Sequence, residues 1–297
     1  KVDGEPFFYN GIQIRIDKLK DVYKFTDDQI KNLFQVAKDD GFTVVNAQIR
    51  WSDIQPDQSV KATESTYISG ADATANFAAE DHLKIEYDAE GINHSLGYIK
   101  FDIAELKKQQ AKWDGAKIRF YGGGTGQKLN VYGLEDDSWD AETLNWDNAP
   151  GHSGYTVEGS GVHVLSVSPE YDKVNDVNYY DFDVTDFVNA YGDDGTVSLV
   201  LQAAEDVSGT IQFDKTWTEL VVSQKDVYDW SYLDKVIGWA EDAGIKLEIL
   251  WFATDTCSVT IDSRVPLYVF NNYQKSLTDE ELPFFKKQSG DPGVRIT

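Results

Sequence analysis

Residues 229–252 read DWSYLDKVIGWAEDAGIKLEILWF, one helix followed by one strand. Ser231 stands where a helix cap is wanted, and Leu233, Val236, Ile237 and Ala240 share one face at helical spacing. Gly244 offers the left-handed position that stops a helix. Lys246 to Phe252 then reads as a short apolar strand ending in Trp251 and Phe252. Residues 26–51, TDDQIKNLFQVAKDDGFTVVNAQIRW, repeat the design. Thr26 and Gln29 form a capping-box pair, Ile30, Leu33, Phe34 and Ala37 form the stripe, Gly41 closes the helix and Thr43 to Trp51 is the strand. Two helix–glycine–strand units of one design predict α/β architecture with a parallel sheet.

A different grammar separates them. A first strand is expected near Phe7–Ile16, with Ile12, Ile14 and Ile16 on one face and Gln13 and Arg15 on the other. From about Ser59 to Ser223 helical periodicity gives way to short alternating runs, among them Leu83-Ile85-Tyr87, Ile99-Phe101-Ile103, Tyr180-Phe182-Val184 and Val197-Leu199-Leu201. Gly, Asn and Asp clusters separate these runs, the pattern of an antiparallel β-sandwich of jelly-roll type, with short helical turns at 104–110 and 185–191. The expected fold is therefore α/β plus all-β. Residues 1–58 and 225–297 supply part of a (β/α)8 barrel, and 59–224 form a sandwich inserted in a strand-to-helix loop, the face where such barrels build their sites.

Composition narrows the function. A net charge of −24 argues against nucleic acid, whose phosphates need Lys and Arg, and against an anionic membrane surface. No apolar run approaches the about 20 residues of a membrane span. The 8 Trp, 16 Tyr and 15 Phe suit both a β-rich core and stacking on sugar rings. Cys257 is the single cysteine, so no internal disulfide forms. His82, His94, His152 and His163 lack zinc-ligand spacing. Gly122–Lys128 fails the phosphate-loop pattern, because Gln127 stands where glycine is required, and reads as a hairpin loop.

Polar and aromatic residues gathered past a strand's C-terminal end are where α/β proteins place ligands. Arg50, Trp51 and Asp53 sit so after the second strand, Trp251 and Asp255 after the third, and Gln13 and Arg15 on the first. All are candidate substrate contacts; an Arg50–Asp53 ion pair and packing by the tryptophans are the structural alternatives. Trp139 and Trp146 in the sandwich are candidates for stacking on sugar, against a framework role. Asp136, Asp137 and Asp140 offer clustered oxygens to calcium, against a solvated acidic turn. No other cofactor is implied.

The pieces V-V-N-A-Q-I-R-W-S-D-I-Q-P (44–56), D-W-S-Y-L-D-K-V-I (229–237) and G-I-K-L-E-I-L-W-F (244–252) resemble the early barrel motif of β-galactosidase-like glycoside hydrolases, near families 35 and 42. There the residue before the proline is acidic; here it is Gln55. Val265-Pro266-Leu267-Tyr268-Val269 resembles a V-P-x-Y-V run of the same group. The inserted segment resembles carbohydrate-binding module family 96 and the related DNRLRE-type domains, through Thr66–Gly70, Tyr98–Ile103, Val131–Trp139 and the run L-N-W-D-N-A-P (144–150). Together the resemblances imply a polysaccharide-acting protein of bacterial origin, extracellular, cell-surface or periplasmic, whose partner is a polysaccharide or oligosaccharide. A complete barrel needs about 250 residues and only about 130 remain outside the insertion. The resemblance places the two catalytic glutamates on later strands, so no catalytic residue is assigned here. The chain is expected to be the N-terminal portion of a hydrolase whose missing barrel segment lies elsewhere. A non-catalytic glycan-binding protein is the first alternative and an adhesion or spacer protein the second. Acidic polymers such as alginate fit the module's resemblance but sit awkwardly with the net charge.

Overall fold

The computed structural model describes residues 6–88, 94–109, 112–122, 128–157, 161–167, 170–172, 177–204, 209–215, 218–252 and 268. In chain order, β1 (Gly11–Ile14), α1 (Ile16–Asp21), α2 (Asp27–Asp39), β2 (Val44–Arg50) and α3 (Trp51–Ile54) come first. The middle segment contains β3 (Gln58–Lys61), β4 (Glu64–Ser69), β5 (His82–Tyr87), β6 (Ser95–Asp102), α4 (Ala104–Gln109), β7 (Gly115–Tyr121) and β8 (Leu129–Leu134). It continues with β9 (His152–Ser153), β10 (Thr156–Val157), β11 (Gly161–Val167), β12 (Glu170–Asp172), β13 (Val177–Asp183) and α5 (Thr185–Tyr191). It closes with β14 (Thr196–Ala203), β15 (Gly209–Asp214) and β16 (Glu219–Ser223), before α6 (Ser231–Ala243) and β17 (Lys246–Phe252). The chain divides into two compact units, one drawn from residues up to Pro56 and from Lys225 onward, the other from Asp57–Gln224.

In the α/β unit the strands run parallel in the order β1-β2-β17. The capping box forms: Gln29 N donates to Thr26 Oγ1 at 3.2 Å and Thr26 N donates to Gln29 Oε1 at 2.8 Å, an arrangement worth about 1 kcal/mol to α2. Gly41 and Gly244 take left-handed φ values of 86° and 62° at the two helix ends. Ser231 does not cap α6. Its own N–H instead donates to Asp229 Oδ1 at 2.9 Å, so the aspartate two residues earlier takes the cap's place. Ile30, Phe34 and Ala37 of α2 and Val236, Trp239 and Ala240 of α6 pack against Val45, Ala47 and Ile49 of β2. Trp239, outside the predicted stripe, meets Phe34 with ring centroids 6.0 Å apart. The first strand is shorter than expected, because Ile16 opens α1 and is fully buried there. The described part of this unit is an open three-stranded sheet; it contains no closed barrel.

The middle unit is a sandwich of two antiparallel sheets. One has seven strands, along the path β11-β8-β14-β6-β5-β15 with β4 on β6; the other has five, in the order β12-β13-β7-β16-β3. Their inner faces share one core, in which Leu83, Ile99, Phe101 and Leu199 of the larger sheet meet Ile118, Phe120, Phe182 and Leu220 of the smaller. The alternating runs of the sequence are these strands, and the two predicted turns are α4 and α5. A second core lies on the other face of the larger sheet. There Ile68, Leu96, Tyr98 and Val200 are covered by Trp139, Ala141, Leu144 and Tyr155 from the long connection after β8.

Candidate functional site: a cleft at the sandwich edge

The sandwich opens at one edge. β11 is the last strand of the larger sheet and is paired to β8, with Val162 opposite Gly133. A side chain at Gly133 would place its Cβ 2.0 Å from the ring of Phe187, so glycine is what lets α5 settle against β8. α5 thereby plugs the end of the core with Phe187 and Val188 and leaves a cleft of about 400 Å³ beside it. Val162 and Val164 form one wall, Asp183, Asp186, Ala190 and Tyr191 the other, and Phe187 lies between. The size falls within the about 300–1,000 Å³ of small-ligand sites.

The wall is held from behind. Asp183 Oδ1 accepts from Thr185 N at 3.0 Å and from Thr185 Oγ1 at 2.6 Å, which fixes the start of α5. Thr185 Oγ1 accepts in turn from Ala116 N of β7 at 2.8 Å. Asn189 clamps Trp113, accepting from its N–H at 3.0 Å and donating to its carbonyl at 2.8 Å. The helix is thus bonded to β7 through Thr185 and to Trp113 through Asn189, and a ligand meets a surface whose ordering cost is already met by folding. The rings of Phe187 and Tyr191 lie 5.0 Å apart and tilted by 32°, and Tyr191 and Val162 are 42% and 37% exposed, so both walls present apolar area to solvent. Ionised carboxylates only accept hydrogen bonds, which fits the exposed Asp186 to a ligand rich in hydroxyl donors.

The residues singled out in the sequence are elsewhere. Arg50 forks onto Asp53, with Nη2 2.7 Å and Nε 3.0 Å from Oδ1, while Arg50 N donates to Oδ2 at 2.8 Å; the pair closes α3 onto the end of β2. Arg15 pairs with Asp17 at 2.7 Å in the same local manner at the end of β1. Trp51 Nε1 and Tyr268 Oη both donate to Gln55 Oε1, at 2.6 and 3.2 Å. Gln55 Oε1 is thus occupied by two donors of its own unit. Trp251 is 48% exposed and lies opposite Ile49, whereas Gln13 lies opposite Asn46. Successive residues of a strand alternate faces, so Trp251 and Gln13 are on opposite sides of the sheet and do not share one site. Asp255 and Cys257 lie outside the described residues.

In the sandwich Trp139 is 6% exposed, edge-on to Tyr98 at 5.7 Å and beneath the Lys100 ammonium at 4.4 Å. Trp146 is half-buried, with its ring edge-on to His152 at 4.8 Å. Both rings are engaged in the cover of the larger sheet. Asp136 accepts from Ser138, which holds its carboxyl below the ordinary range, and Asp140 accepts from Glu142 N. Burial, and then Asp194, push the Asp137 carboxyl up. Asp136 and Asp140 are thus each occupied by their own turns, and among the described residues no group of three or more His, Cys, Asp or Glu side chains is placed to hold a metal ion.

Residues 56–219 match the family model of carbohydrate-binding module family 96. The chain belongs to that family. The match spans the sandwich from β3 to the first residue of β16 and includes every described residue of the cleft. The chain is also similar to a solved structure, the K1 cleaved adhesin domain of Lys-gingipain from Porphyromonas gingivalis W83. Identity is 10% over 60% of this chain and 96% of that one, with a TM-score of 0.22, a level that carries no argument. No curated protein matches the chain. Among the described residues no helix is long and apolar enough to cross a membrane.

Val162, Asp183, Asp186 and Tyr191 carried no signal as a set in the sequence. They lie on two segments about 20 residues apart that only the β11–β8 and β13–β7 pairings bring to one edge. The one local hint was the short amphipathic turn at 185–191.

Proposed function

We propose that the protein binds a glycan through its family 96 sandwich, and that the ligand enters the edge cleft between β11 and α5. The observation that carries this reading is the cleft itself: about 400 Å³, with an aromatic and aliphatic lining and two carboxylates, lying inside the residues matched to a carbohydrate-binding family. Binding is tested by isothermal titration of the full chain against soluble polysaccharides. Replacing exposed Tyr191 by alanine should weaken binding about tenfold by removing a stacking face, with the melting temperature held. Unchanged affinity would move the ligand away from the cleft.

A second reading is favoured by the parallel order β1-β2-β17 with α2 and α6 on one face. On it, residues 1–58 and 225–297 are the opening part of a β-galactosidase-like barrel. The sandwich of 59–224 is an inserted jelly-roll module that holds polymer near a hydrolase site, and the protein works outside the bacterial cytoplasm. Arg50, Trp51, Asp53 and Gln13 would then contact substrate at the strand ends. Glycoside hydrolysis needs two carboxylates about 5–5.5 Å apart for retention or about 6.5–9.5 Å for inversion. Loss of oligosaccharide affinity on Trp51→Ala, with affinity kept on Tyr191→Ala, would favour this reading; the reverse would favour binding through the sandwich.

A further inference from the structure

We infer that the protein has a second glycan contact, outside the sandwich: the stacked rings of Tyr228 and Trp230 at the entry to α6, which form a platform for the C–H face of a pyranose. The inference rests on the reading of the chain as a glycan binder but not on the cleft as the place of binding. The two ring centroids lie 5.5 Å apart and the rings are within 18° of parallel. Each ring covers one face of the other, yet each side chain is 47% exposed, and the neighbouring Val227 is 45% exposed. The core of the α/β unit is built on Phe34, Val236 and Trp239, and neither ring belongs to it. Large apolar side chains gathered at the surface within a polar rim mark interaction sites.

The backbone beneath the pair is fixed before a ligand arrives, which lowers the cost of binding. Asp226 takes a left-handed φ of 61° and turns the chain ahead of the rings. Asp229, between the two in sequence, donates its N–H to Ile54 O at 2.8 Å and accepts at Oδ1 from Ser231 N at 2.9 Å. The first of these bonds ties the pair to α3, just past the C-terminal end of β2, where open parallel sheets receive ligands. The neighbours of the rings choose the ligand. Asp226 and Asp229 flank them in sequence and are exposed, whereas the centre of a protein–protein interface is depleted in aspartate. A sugar uses both parts at once. Its C–H face lies on the rings, and its hydroxyls donate to the carboxylates and meet the polar rims of Tyr and Trp. A protein segment laid over the rings would instead bring apolar surface against two carboxylates.

The test is titration of the full chain with a soluble β-glucan, a galactomannan and alginate, followed by amide hydrogen exchange with the polymer that binds most tightly. The chains compared are the wild type, Trp230→Ala, Trp230→Phe, Tyr228→Ala and the cleft variant Tyr191→Ala, with thermal melting to check that each folds. Trp230→Ala should weaken binding about fivefold, and Trp230→Phe, which keeps a ring face, should stay within about twofold. Ligand should slow exchange at residues 226–231 in the wild type, a readout that needs no variant, and should still do so in Tyr191→Ala. Weakened binding in Tyr191→Ala, with Trp230→Ala and Tyr228→Ala at wild-type affinity and 226–231 unmoved, would overturn the inference and leave the cleft as the glycan site. A lower melting temperature in Trp230→Ala with affinity unchanged would make the pair a packing element and overturn it too. Binding of the wild type to none of the three polymers would overturn the glycan reading and the inference together.

Discussion

The larger sheet of the sandwich is covered on both faces, by the smaller sheet within and by the 135–157 connection outside. The parallel sheet of the α/β unit has α2 and α6 on one face, and at its β17 edge Ile249, Leu250 and Trp251 remain 39%, 37% and 48% exposed. The difference separates two uses of polar side chains. In the α/β unit the charged groups at the strand ends close local turns, Arg15 on Asp17 and Arg50 on Asp53. In the sandwich the fold is complete without Asp186, Tyr191 or Val162, and these stay exposed along a preformed cleft. Side chains that hold a turn are poorly placed to bind; side chains left outside a finished core are available for it.

The largest effect should fall in the sandwich core. Phe120 sits between Phe182 and Phe213, with centroids at 5.2 and 5.3 Å, and Phe120→Ala should cost about 3–5 kcal/mol. Segment-resolved hydrogen exchange should show protection lost across β7, β13 and β15 but kept in α2 and α6; loss in both would break the comparison.

Alkali should also act on the sandwich first. Burial raises the Tyr180 hydroxyl to about 12 and pushes Tyr98 up as well, and the two lie in its two cores. A raised folded value means that the stability is whole below the ordinary value near 10 and is lost as pH climbs toward 12. The loss for Tyr180 should reach about 2–3 kcal/mol. Tyrosinate absorbance rising together with unfolding of the sandwich would bear this out; ionisation of every tyrosine near pH 10 with the fold intact would not.

Next in size is Gly133→Ala. Its methyl group would strike Phe187, so stability should fall by about 2 kcal/mol and glycan affinity should fall as α5 is displaced. A change in stability without a change in affinity would uncouple the cleft from β8. The smallest effect should be Trp251→Ser, within about 0.5 kcal/mol and with unchanged glycan binding, because the ring is half exposed. Weakened binding there would point to the strand ends of the α/β unit instead.

The elements were legible where chemistry is local. Thr26 with Gln29, and Gly41 and Gly244 after their stripes, mark helix ends through groups within a few residues, and the structure has them. The sandwich strands were legible because one buried face imposes alternation. Ser231 misled because a serine and an aspartate two residues earlier compete for the same cap, and geometry chose Asp229. Trp139 was legible as a framework aromatic of a family run, whereas its partners Tyr98 and Lys100, from a distant strand, were not. The cleft was legible only as the short turn at 185–191. Its walls come from β11, the end of β13 and α5, and no periodicity encodes which strand of one sheet borders which helix across the core.

The measurement that tests the account most directly is amide hydrogen exchange of the full chain with and without a bound polysaccharide. The account predicts that ligand slows exchange in residues 161–164 and 183–191 and leaves 50–55 and 246–252 unchanged. Protection confined to 50–55 and 246–252, with the cleft segments unmoved, would contradict it.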